Sequence, residues 1–272
     1  MVEGEASSGR IEMILESAQS LLDIHGATKT FGGFNALNQL DVKVRKGTIH
    51  AIIGPNGSGK TTLINLVSGL LKPTSGDFFF KGVKLNGLRP DQRTAMGIGR
   101  TFQNIRVFNQ MSTLENIMMA RHCRTHSGLW DLLFNPPFKP LREEIEIRKK
   151  AEELLHFVGI FHRKDLKASS LPLGEQRLLE MALALATEPK LLLLDEPVTG
   201  MNQKEKDSVK VLIQQISKMG ITVLFIEHDM RVVMDLSDWI TVINFGQKIA
   251  EGEPDHIQRD PVVIEAYLGK ER

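Results

Sequence analysis

Ile49-His50-Ala51-Ile52-Ile53-Gly54-Pro55-Asn56-Gly57-Ser58-Gly59-Lys60-Thr61-Thr62-Leu63-Ile64-Asn65-Leu66-Val67 decides the architecture. An apolar run, a glycine-rich loop and a second apolar stretch read as strand, loop and helix. Glycines at both ends of the loop let successive backbone N–H groups turn inward, and a helix beginning near Lys60 adds its positive N-terminal end. Such a turn wraps a polyphosphate. Gly54 to Thr62 form the cradle, Pro55, Asn56, Gly57, Ser58 and Gly59 lining it. Lys60 reaches the outer phosphates and the Thr61 hydroxyl holds Mg²⁺.

Downstream, Leu191-Leu192-Leu193-Leu194 is a short continuous apolar run that ends in Asp195-Glu196-Pro197. It suits a central strand of a parallel sheet, buried on both faces. Two acids at the carboxyl end of such a strand have a direct use beside a phosphate turn: Asp195 for the Mg²⁺ that Thr61 also touches, Glu196 to orient or deprotonate an attacking water. Ile221 to Ile226 makes the next buried strand and ends in Glu227-His228-Asp229. Ligands gather at the carboxyl ends of parallel strands, so His228 is read as a hydrogen-bond donor to the γ-phosphate, the other reading being a satisfied core side chain.

Upstream, short strands are expected at Leu22–His25 and Leu40–Val44, separated by Phe31-Gly32-Gly33-Phe34. Phe31 has two readings, core packing or a face on which adenine stacks. After the phosphate-loop helix, Pro73 and Gly76 turn the chain into a hairpin at Phe78-Phe79-Phe80, and Gly97 to Gln103 is a further strand ending in a polar amide. From Asn104 to about Ala168 the texture is helical and charged, interrupted at His122–Pro140 by a segment holding Trp130, Phe134 and Phe138. The charges from Arg142 to Lys150 read as a solvated helix face with i,i+4 pairs. Gln176–Thr187 is nearly all apolar except at Arg177 and Glu180 and reads as a buried helix; Lys204–Met219 is a helix that stops at Gly220; Ile240–Asn244 is a strand followed by a turn at 245–248.

The composition bounds the partners. Lys and Arg number 34 against 33 Asp and Glu, a formal charge of +1, so bulk charge attracts neither nucleic acid nor anionic lipid. Cys123 is the only cysteine, which excludes an internal disulfide and suits a reducing compartment. No run approaches the ~18 apolar residues of a membrane span, and Met1-Val2-Glu3-Gly4-Glu5 does not read as a secretion signal. A soluble, cytoplasmic protein is expected, in which contact with a membrane comes through a partner. Residues 1 to about 20 are polar and peripheral, with one apolar stripe at Ile11, Met13, Ile14, Leu15 and Ala18.

From about Leu22 to Leu268 the chain resembles the ATP-binding cassette subunits of ABC transporters. Gly54–Thr61 fits the family's Walker A motif, Leu191–Glu196 its Walker B motif, Gln103 its Q-loop, His228 its H-loop, Phe31 its adenine-stacking aromatic, and Met201-Asn202 its D-loop. Phe31-Gly32-Gly33, Gly99 to Phe108, the insert near 122–142, Glu227-His228-Asp229-Met230 and the ending Ile249 to Gly269 look like the LivG-type ATPase of branched-chain amino acid importers.

The resemblance implies an α/β fold: a RecA-like P-loop NTPase core with an antiparallel β subdomain and an inserted α-helical subdomain. One cassette would span 21–272 behind a leader at 1–20, with 21–103 and about 176–250 forming the RecA-like and β lobe, about 104–175 the helical lobe, and 251–272 a tail. Implied too are ATP and Mg²⁺, with Gln103 joining Thr61 and Asp195 at the metal, and Gln103, Glu196 and His228 as catalytic groups. The implied partners are a membrane permease, a second cassette that sandwiches two ATP head to tail, and, indirectly, a periplasmic or extracellular solute-binding protein. No nucleic acid is among them. The place of work would be the cytoplasmic face of the plasma or inner membrane.

One motif departs from the family. The signature, usually Leu-Ser-Gly-Gly-Gln and in this branch often Leu-Ser-Tyr-Gly-Gln, is here Leu171-Pro172-Leu173-Gly174-Glu175-Gln176. Gly174 is retained as a nucleotide-binding position. Proline supplies neither hydroxyl nor N–H to the γ-phosphate, and Glu175 in place of Gln brings an anion towards it. Three functions remain open on sequence: the ATPase of an importer for branched-chain amino acids or for urea- or amide-type solutes, a nucleotide-binding subunit with weak or regulatory hydrolysis, and a soluble ABC ATPase outside transport.

Overall fold

The computed structural model describes residues 20–101, 107–121 and 139–268. The stripe at 11–18, Gln103, Cys123 and the aromatic segment at 122–138 lie outside them. Two sheets carry the fold. In the first, β1 (Ser20–Phe31) and β2 (Phe34–Arg45) form an antiparallel hairpin turned by Gly32 and Gly33. Both strands run well beyond the short segments expected. Register shifts after Ile24, Ala27 and Lys29 break the period-two pattern that would have revealed their length. β4 (Ser75–Phe80) pairs with β1, and β5 (Val83–Lys84) closes a hairpin on β4, giving the order β2-β1-β4-β5.

The second sheet holds β3 (Ile49–Ile53), β6 (Ile98–Arg100), β7 (Leu191–Asp195), β8 (Thr222–Ile226), β9 (Trp239–Asn244) and β10 (Gln247–Gly252), in the order β10-β9-β3-β8-β7-β6. All pairs are parallel except β9 with β10. β3 and β8 occupy the centre; β7 is interior but one strand from the edge. The segment 245–248 is only half turn. Phe245 and Gly246 take positive φ and close a tight hairpin, and the chain from Gln247 pairs back on β9.

Along β3, β7 and β8 every residue is buried, and successive side chains enter opposite cores as the pleat requires. Leu192 and Leu194, Val223 and Phe225, and Ala51 and Ile53 face a core built with helices; Leu191 and Leu193, Leu224 and Ile226, and Ile52 face the core shared with the antiparallel sheet. α1 (Lys60–Val67) belongs to that second core. Its C-terminal carbonyls are held by buried Arg93 of α2 (Pro90–Met96), which donates to Leu66 at 2.6 Å and Val67 at 2.8 Å. α3 (Thr113–Arg121), α4 (Lys139–Phe157) and α5 (Leu173–Ala186) pack on one another, and α6 (Gln203–Lys218) and α7 (Met230–Leu236) cover the six-stranded sheet. α6 starts on a capping box of Asn202 and Glu205. α8 (Pro254–Arg259) and α9 (Pro261–Leu268) complete the described chain. No helix among the described residues is long and apolar enough to cross a membrane.

Candidate functional site

The parallel strands deliver their loops to one edge. β3 ends at the phosphate turn, β8 at Glu227-His228, β7 at Asp195-Glu196 and β6 at Arg100-Thr101, because Ile52 and Asp195 both register with Ile226 and Leu193 with Arg100. The sequence expectation that turn, acids and histidine share the carboxyl edge holds in this geometry.

In the turn, a side chain at Gly54 would strike the Ile243 carbonyl, and one at Gly59 would strike that of Ala36. Both take positive φ, so glycine is required twice over. The Gly246 amide donates to Ser58 at 3.0 Å and anchors the loop to the β9–β10 hairpin. α1 begins without a side-chain cap, leaving the first-turn N–H groups to a ligand. Lys60 is nearly buried and donates to the carbonyls of Gly54 at 2.8 Å and Pro55 at 2.9 Å. Burial lowers its pKa, opposed by the charges of Glu196 and then Asp195, which puts both acids within electrostatic reach of the loop. Thr61 is exposed and Thr62 half-buried on the first turn of α1.

Asp195 is 1 % exposed. Its Oδ2 accepts from Arg100 at 3.3 Å, while Oδ1 is buried with no partner among the described residues. Burial pushes its carboxyl up, and Arg100 opposes that. An orphaned, buried carboxylate oxygen together with the hydroxyl of Thr61 is an all-oxygen donor set, which fits a hard cation of the Mg²⁺ kind. Glu196 sits in the left-handed region at φ 52, its amide donating to Ile226 at 3.0 Å and its Oε2 accepting from the Thr199 hydroxyl at 3.1 Å. The general-base candidate is therefore aimed by backbone strain and one hydroxyl.

His228 is exposed, its Nδ1 3.8 Å from Glu227 Oε2. Glu227 was missed as a site residue. It is 1 % exposed, and its two oxygens accept from Val198 at 3.1 Å, His228 at 3.0 Å and Asp229 at 3.4 Å, stitching the loop after β7 to the loop after β8. A carboxylate following an apolar strand was the available signal; nothing in the sequence said which amides it would meet. Arg100 was also missed, since a single arginine at the end of a short strand carries no pattern.

Phe31 ends β1 beside the Gly32-Gly33 turn and is 45 % exposed, with Lys29 Nζ 5.0 Å from its ring centroid. Exposure sets aside the core reading and leaves a face on which a base can stack. Gly174 lies apart from the loop, buried at the start of α5, where a side chain would crowd Glu205. Pro172 is the N-cap of α5 and caps nothing with its side chain. Glu175 turns to the side: Arg163 Nε is 3.0 Å from one oxygen and donates at 3.2 Å to the other, with His162 3.7 Å away. The anion expected to oppose phosphate is thus paired within its own lobe. On the outer side of the phosphate loop, Pro55, Asn56 and Phe245 face Val262 and Glu265 of α9 across a cavity of about 490 Å³. Tyr267, exposed over part of its surface, lies against Gly54, and desolvation raises its phenol to about 12.

Comparison with known proteins agrees with this geometry. The chain matches the ABC transporter family over residues 37–199 and the branched-chain amino acid ATP-binding cassette transporter family over residues 247–272. It is 40 % identical over 255 residues to the high-affinity branched-chain amino acid transport ATP-binding protein LivG of Salmonella typhimurium, covering 93 % of this chain and 99 % of that one. The crystal structure of the ADP conformation of an ATP-binding cassette of an ABC transporter superposes with a TM-score of 0.80 at 34 % identity, covering 92 % of this chain and 99 % of the other. A dimeric cassette in a post-hydrolysis state bound to ADP and Pi is similar at TM-score 0.74 and 25 % identity, over 86 % of this chain and 99 % of that one.

Proposed function

The chain belongs to the ABC transporter family as an ATP-binding cassette, and from that membership we propose that it energises import of branched-chain amino acids through a membrane permease. The observation that carries the reading is the meeting of Lys60, Asp195 and Glu196 at one sheet edge, with Asp195 Oδ1 buried and bare. The chain works peripherally at the cytoplasmic face, paired with a second cassette. A solute-binding protein on the far side of the membrane delivers the amino acid to the permease.

Each residue has a task. Phe31 stacks the adenine, and the backbone N–H groups of 57–62 grip the phosphates. Lys60 leaves its loop carbonyls for phosphate oxygens. Thr61, Asp195 and Gln103 would hold Mg²⁺, which would supply charge neutralisation at the phosphates. Glu196 takes a proton from the attacking water, and His228 donates to the γ-phosphate oxygens. Hydrolysis parts the two cassettes, and the motion reaches the permease through the segment around Gln103.

Pro172 favours a second reading. With no hydroxyl or N–H at that position, the composite site that this signature completes is weakened, and the subunit acts beside a different cassette whose own signature is intact. Reconstitution with the permease and solute-binding protein tests the first reading: ATP-dependent leucine uptake supports it, and uptake confined to urea or amides redirects it. Retained ATP without phosphate release, in the full assembly, would establish a regulatory subunit instead.

A further inference from the structure

We infer that Arg100 is a positioning residue that braces the two halves of the metal site against each other. The inference rests on the reading of Thr61 and Asp195 as the residues that hold Mg²⁺. Arg100 lies at the end of β6, its side chain 8 % exposed. One terminal nitrogen, Nη1, donates to Asn65 Oδ1 and to Ser68 Oγ, both at 2.7 Å. The other, Nη2, reaches Asp195 Oδ2 at 3.3 Å, and Nε donates to the Thr101 carbonyl at 3.2 Å. Asn65 belongs to α1 and Ser68 is the C-cap of that helix, and Asn65 follows Thr61 by one turn.

One planar fork therefore joins the helix that carries Thr61 to the strand that carries Asp195. It occupies a single oxygen of Asp195 and leaves Oδ1 bare. The Asp195 amide is fixed separately, 3.4 Å from the Thr101 hydroxyl, so the carboxylate is held from both its backbone and its head. Loss of the fork frees Asp195 to rotate and uncouples it from α1. Lysine offers one point charge in place of a fork and cannot span all these acceptors in the same geometry.

The test counts bound Mn²⁺ by electron paramagnetic resonance in the presence of ADP, in the parent chain and in R100Q and R100K. Partners in the outer shell of metal sites are worth about ten- to a hundredfold in metal affinity. R100Q is expected to bind Mn²⁺ at least about tenfold more weakly, with R100K in between, while ADP affinity measured in EDTA stays unchanged. Equal Mn²⁺ affinity in R100Q and parent overturns the brace. An equal loss of ADP affinity in EDTA also overturns it, because the arginine would then support the fold at large. A parent chain that binds no Mn²⁺ with ADP removes the metal reading itself, and the brace with it. Should R100Q fail to fold, N65A, which cuts one arm and leaves the pair with Asp195, is expected to weaken Mn²⁺ in the same direction; unchanged affinity in N65A then counts against the inference.

Discussion

Lys60 Nζ donates to the Gly54 carbonyl at 2.8 Å, so the ammonium is held by the glycine-rich loop from which it projects. The loop carries its own acceptors for the ammonium, and under the proposed function phosphate oxygens take the place of those two carbonyls. Lys60→Met removes this exchange. A charge-assisted hydrogen bond is worth roughly 1.5–3 kcal/mol, so ATP affinity should fall about ten- to a hundredfold by calorimetric titration. Unchanged affinity would take Lys60 out of the phosphate site.

Glu196→Gln keeps the size and the Thr199 hydrogen-bond partner but removes the base. Hydrolysis should drop by about 10² to 10⁴, and ATP should drive the variant into a stable dimer on size-exclusion chromatography. Hydrolysis at the parental rate would end the assignment of Glu196 as base.

Glu227 accepts three backbone N–H groups with 1 % of its surface exposed. Glu227→Ala leaves those amides unpaired, at about 1–3 kcal/mol for each buried group that finds no water, so a loss of several degrees in melting temperature is expected together with a fall in turnover. A melting curve that does not move would mean that water replaces the carboxylate.

His50 is buried in β3 against the Thr241 hydroxyl, 2.9 Å away. Burial, helped by Arg45 and Lys248, lowers its pKa from 6.5 to about 3. Below pH 6.5 the unfolded chain takes up a proton that the folded chain refuses, so this residue erodes stability as pH falls from about 6.5 towards 3. At pH 4.5 the loss from this residue is roughly 2–3 kcal/mol relative to pH 7. Urea unfolding of His50→Gln should show that much less dependence on pH; a slope equal to the parent's would assign the acid sensitivity to other groups.

Pro172→Ser restores a hydroxyl at the start of α5. With the partner cassette present, hydrolysis should rise by about tenfold or more, since one hydrogen bond to a charged group corresponds to that factor. A rate no faster than the parent's would show that the proline is not the limiting defect.

The turn at 54–61, the acids at 195–196 and His228 were legible because each is a local pattern: a strand, then a residue type that the chemistry needs at its end. The long hairpin of β1 and β2 was not, since its register shifts scramble the alternation that marks a strand. Glu227 and Arg100 were illegible for a different reason. Arg100 meets Asn65 and Asp195, which stand far away in the chain, and only the parallel pairing of β6 with β7 brings them into reach. Glu227 caps its neighbours His228 and Asp229, but Val198, the partner that ties it to the other loop, comes from before β8. Glu175 shows the opposite failure, where the residue type was read correctly but Arg163, which neutralises it, comes from outside the motif.

The strand order has a metric consequence. β8 lies between β3 and β7, so the strand ends that carry the glycine-rich turn and the acids at 195–196 stand two interstrand spacings apart, roughly 9–10 Å. The aperture is set by hydrogen bonding across a whole sheet rather than by any flexible loop. Side chains can tune what enters it, but its width changes only in whole strands.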